Sequence, residues 1–74
     1  MRVSQKRLDS AGWETREIRT GPESWLLEAE EREGGRKIET HLVLDMALVD
    51  LVPEVEIREL ELAWARLAEK VLGG

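Results

Sequence analysis

Residues 25–45, WLLEAEEREGGRKIETHLVLD, set a Gly-Gly pair between two runs of alternating apolar and polar residues. Glycine tolerates the positive φ angles of two-residue hairpin turns, so the chain is expected to fold back at Gly34 and Gly35. With those two as the turn, residue 33 faces 36, 31 faces 38, 29 faces 40, 27 faces 42 and 25 faces 44. Trp25, Leu27 and Ala29 then share one face with Ile38, Thr40, Leu42 and Leu44. Of the large apolar residues, only Leu26 and Val43 fall on the other face, directly opposed. A one-residue slip would scatter this pattern, so the faces are strongly specified.

A preceding strand is expected over 13–20, entered at Gly12 and left through Gly-Pro-Glu-Ser at 21–24. That loop suits a Pro-containing turn. If it pairs 20 with 25 and 18 with 27, Ile18 joins the apolar face and Trp13 lies on the opposite face near Arg32 and Lys37. Residues 1–8, MRVSQKRL, offer an edge strand with Val3 and Leu8 on opposite faces. In the last third, Ile57, Leu60, Trp64, Leu67, Ala68 and Val71 recur at spacings of three and four, the stripe of an amphipathic helix. Pro53 suits its first position, Glu54 and Glu56 complement its dipole, and Gly73 and Gly74 end it. The intervening DMALVDLV reads as a short helical or irregular segment, with Asp45 a candidate cap. These elements make one α+β domain over 1–74, a three- or four-stranded antiparallel β-meander followed by one C-terminal α-helix packed on one sheet face.

A chain of 74 residues buries only about 60% of the surface its unfolded form exposes, so its core is thin. Small scaffolds offset this with disulfides, a metal or oligomerisation. Without cysteine, disulfides and thiolate metal sites are both excluded, which leaves self-association as the expected support. No run approaches the roughly 18 apolar residues of a membrane span, and MRVSQKRLDSAGW lacks the apolar core of a signal peptide. A cytoplasmic protein is expected. The absence of asparagine, the single glutamine and the preference for arginine over lysine suit a thermophile or a GC-rich bacterial genome.

The net charge of −5 is unevenly placed, +2 over residues 1–19 and −7 over 20–74. An acidic body repels phosphate backbones. The basic N-terminal strip, Arg2, Lys6, Arg7, Arg16 and Arg19, with Trp13 as a stacking platform, is the one set suited to nucleic acid. It competes with the carboxylates Glu14, Glu17, Glu28, Glu30, Glu31 and Glu39 on the same hairpins.

Catalytic residue types are scarce. His41 is the only histidine, tyrosine is absent, and Ser4, Ser10 and Ser24 lie in no nucleophile motif. The expected register sets His41 opposite Glu28, with Glu17 one strand further, a grouping that reads first as a cross-strand surface pair. No cofactor, metal or catalytic residue is assigned. The Leu26–Val43 pair runs into MALVDLV, and Leu62 and Val55 fall on the solvent side of the helix. Large apolar patches mark association sites. The expected function is that of a small binding or accessory protein acting through homodimerisation and a macromolecular partner. Leu26, Val43, Met46, Leu48 and Leu62 are its interface candidates, and contact with nucleic acid is the alternative.

Overall fold

The Gly-Gly region does turn the chain, but through a wider loop than the dipeptide alone suggests. A computed structural model describes residues 1–73. Its elements are α1 (Val3–Ser10), β1 (Trp13–Gly21), β2 (Ser24–Glu31), β3 (Lys37–Val43), α2 (Met46–Leu51) and α3 (Glu54–Leu72). The strands form one antiparallel sheet in the order β1-β2-β3, with the C-terminal helix packed against it.

Between β2 and β3 the closing pair is Glu31 and Arg36, joined by Glu31 N–H donating to Arg36 O at 2.7 Å. Gly35, at φ +75°, donates back to Glu31 O at 2.9 Å. Only Gly35 needs the left-handed conformation. At Gly34 a Cβ would displace the Glu31 carboxylate, the end of a flexible side chain paired with Arg36. The loop is thus four residues rather than two, and the register moves by two: Leu27 pairs Thr40, Ala29 pairs Ile38 and Trp25 pairs Leu42. A shift of two preserves every face. Trp25, Leu27 and Ala29 are buried on one side with Ile38 and Leu42 packed beside them.

The β1–β2 register differs by one residue, and that difference inverts β1. Gly21 pairs Ser24 around a Pro22-Glu23 turn, and the register then shifts between Arg19 and Gly21 so that Arg19 pairs Trp25 and Ile18 pairs Leu26. Thr20 is the extra residue of this bulge. Trp13, Thr15, Glu17 and Arg19 therefore join the core face, and Ile18 leaves it. The driving force is the larger apolar area of tryptophan: Trp13 is 4% exposed, whereas Ile18 stays half-buried beside Leu26.

Residues 3–10 form a helix instead of an edge strand. The Gln5 side chain accepts from Arg2 N–H at 2.9 Å across its first turn, and Gly12, at φ +92°, lets the chain leave its end. Ser4 and Leu8, four apart, are its buried face. Gln5 reaches Thr15 from α1 and the Trp64 indole reaches Glu17 from α3, so both helices lie on the core side of the sheet.

The MALVDL segment is helical, with the Asp45 carboxylate accepting from Ala47 N–H at 3.0 Å. In α3 the stripe runs through Val55, Leu60, Ala63, Trp64, Leu67 and Ala68. Val55 is buried and Ile57 exposed, the reverse of the periodic expectation, because α2 packs against α3 and Val49 and Val55 fill that corner. No described helix is long and apolar enough to cross a membrane.

Candidate functional site

The outer face of the sheet is mostly charged, with an ion cluster at its centre. Glu28, on the middle strand, is 5% exposed although no helix covers it. Its cover comes from neighbouring side chains: Lys37 Nζ lies 3.0 Å from Oε2 and Arg16 lies 3.5 Å from Oε1. Its carboxylate holds the Lys37 ammonium, through a hydrogen bond and charge, above the ordinary lysine range. The two-residue shift in register sets Glu39, not His41, opposite Glu28, and His41 faces Leu26. Glu17 lies on the opposite side of the sheet. The Glu17, Glu28 and His41 grouping is therefore not assembled, and no described group of three or more such residues is placed to hold a metal ion.

Glu17 belongs to a second network, between layers. Arg2 Nε donates to its Oε1 at 2.7 Å and Trp64 Nε1 donates to the same oxygen at 2.8 Å. The Arg2 hydrogen bond, opposed by burial and aided by the indole, holds the Glu17 carboxyl below the usual range. This ties α1, β1 and α3 together at one oxygen.

The basic N-terminal set is dispersed and largely paired. Trp13 is in the core, with Arg36 over its ring at 5.4 Å, so it offers no open stacking surface. Arg2 is bound to Glu17, Arg16 lies beside Glu28, and Arg19 covers Trp25 while donating to Gly21 O and Pro22 O. Lys6 and Arg7 are exposed on α1. Arg16 is on the outer face of the sheet, while the other contacts lie on the core side.

The apolar candidates are redistributed. Leu26 is half-buried between Ile18 and His41, and Val43 pairs Ser24 rather than Leu26. Met46 packs against the core, and Leu62 is exposed on α3 in the helical layer. Val43 and Leu48 are exposed, as are Leu51 and Val52, which the sequence did not single out, and Ile57, which it placed on the buried stripe of α3. Leu51 is the most exposed large apolar side chain of the molecule, at 81%. The missed signal lies in MALVDL itself: a six-residue helix turns one side inward, through Val49, so Leu48 and Leu51 must point away. Five carboxylates, Asp45, Asp50, Glu54, Glu56 and Glu59, are interleaved with this corner against one arginine, Arg58.

A shallow groove of about 150 Å³ runs between the free edge of β3 and α3. Thr40, His41, Leu42, Ala63 and Leu67 line it together with the exposed Arg66 and Lys70. Compared with protein-family models, curated proteins and solved structures, the chain has no significant match.

Proposed function

We propose that this chain is a non-catalytic homodimeric binding protein whose acid-rimmed corner takes an apolar, basic segment of a partner protein. The observation that carries the reading is that Val43, Leu48, Leu51, Val52 and Ile57, all within fifteen residues of sequence, are exposed. Scattered single residues of this kind need no explanation, whereas five so close in sequence favour association. The interleaved carboxylates favour cationic flanks on the bound segment and would steer its approach.

The test is a calorimetric titration with a synthetic amphipathic helix of leucine and lysine. Binding that weakens with salt and is lost in Leu51→Asp, with the fold retained by circular dichroism, supports the reading. Equal binding by Leu51→Asp would mean non-specific charge attraction and would overturn it.

A further inference from the structure

We infer that the homodimer forms by antiparallel pairing of β3 with β3 of a second copy, about a two-fold axis at Thr40, giving one six-stranded sheet. This inference deepens the homodimer in the reading above and rests on it.

The backbone gives the first argument. In an antiparallel ladder, alternate residues turn their N–H and C=O groups to the same neighbour. The hydrogen bonds Glu31–Arg36 and Leu44–Glu23 flank the β2–β3 ladder, so residues 38, 40 and 42 bond to β2. Lys37, Glu39, His41 and Val43 therefore point their backbone groups out from the sheet edge. Seven residues of regular strand, without bulge or proline, leave that edge open. The opposite edge, β1, is interrupted by its bulge and flanked by α1.

The side chains then choose the register. Since the outward groups sit on odd-numbered residues, only registers differing by steps of two are allowed. Pairing about Thr40 overlaps the whole strand and sets Glu39 against His41 on the outer face and Ile38 against Leu42 on the core face. Moving two residues one way sets Glu39 against Glu39 and Lys37 against His41. Moving two the other way sets His41 against His41. The first alternative opposes like charges, which destabilises, and both alternatives give up two residues of overlap, so the Thr40 register, with full overlap and an apolar Ile38–Leu42 pair on each side of the axis, is preferred.

The groove gives a third, independent argument. Leu42 lines it and is only partly buried within one chain. In the Thr40 register, Ile38 of the second copy stands directly beside Leu42 and over the groove mouth. The long side chains of Arg66 and Lys70 keep their charged ends in water. Main-chain pairing supplies the affinity and the groove the specificity, as in other strand additions.

The chain has no cysteine, so one can be placed at will. Residue 40 meets itself in a non-hydrogen-bonded pair, with Cα atoms about 4.5 Å apart and within disulfide reach. Thr40→Cys is expected to cross-link fully under mild oxidation, without change in the light-scattering mass. His41→Cys, offset by two residues from its own copy, is not. His41→Glu is expected to weaken the dimer about 10-fold by setting Glu39 against a carboxylate twice, and adding Glu39→Lys to restore it. A dimer in which Thr40→Cys cross-links no faster than His41→Cys would overturn the edge pairing and leave the homodimer reading standing. A monomer at every concentration would overturn both.

Discussion

Glu17 has one oxygen that accepts from two elements, the Arg2 guanidinium of the N-terminus and the Trp64 indole of α3. Its carboxyl is held below the ordinary range, so the charged form is favoured by folding. That contribution is fully present above the unfolded pKa of about 4.3 and is lost as pH falls through the lower folded value. Urea melts from pH 7 to pH 2.5 should therefore show a loss of stability below pH about 4 that is smaller in Glu17→Gln, which lacks this contribution. Trp64→Phe keeps most of the ring but removes the donor, and it should cost about 1–2 kcal/mol by the same melts. None of this was legible in the sequence. Glu17 reaches the core face only because the strand slips by one residue at Thr20, and alternation cannot reveal a bulge.

At the scale of elements, legibility followed how much apolar area each choice moved. Trp25, Leu27 and Ala29 alternate so regularly that their common face survived a wrong turn length and a two-residue error in register. Trp13 and Ile18 cannot share a face in β1, and the alternation alone favoured neither. Burial of the larger ring decided it. For α1, the informative spacing was Ser4 to Leu8, with Gly12 beyond it, but one apolar residue on that face gave too little periodicity to outweigh a strand. The turn itself is testable. Gly35→Ala meets no atom within 4 Å, so its cost is the left-handed backbone alone, about 1–2 kcal/mol by denaturant melting. Asp45→Ala removes the only side-chain acceptor at the start of α2 and should cost about 1 kcal/mol. It should also unfasten the corner that exposes Leu48 and Leu51.

The whole molecule is long and narrow, 41 × 20 × 20 Å, with a radius of gyration of 12.8 Å. A compact chain of this length has a radius of about 11 Å. One sheet and one helical layer account for the thickness, and among the described residues no helix packs on the outer face of the sheet or along the β3 edge. From sequence, the thin core and the absence of cysteine pointed to self-association, and exposed apolar residues pointed to the region around Val43 and Leu48. Whether a second copy would use the sheet's face or its edge was not legible, because the choice turns on the bulge that interrupts β1 and on the groove beside β3, and alternation reveals neither. Proposed functions of the corner and the edge also separate at this scale. Leu51→Asp should abolish binding of a basic amphipathic peptide while leaving the dimer's mass unchanged.

The most direct test of the account is the solution mass by multi-angle light scattering over a hundredfold range of concentration. A homodimer gives twice the 8.5 kDa of one chain throughout the range, and a lower mass for His41→Glu at the dilute end. A mass of 8.5 kDa at every concentration would contradict it.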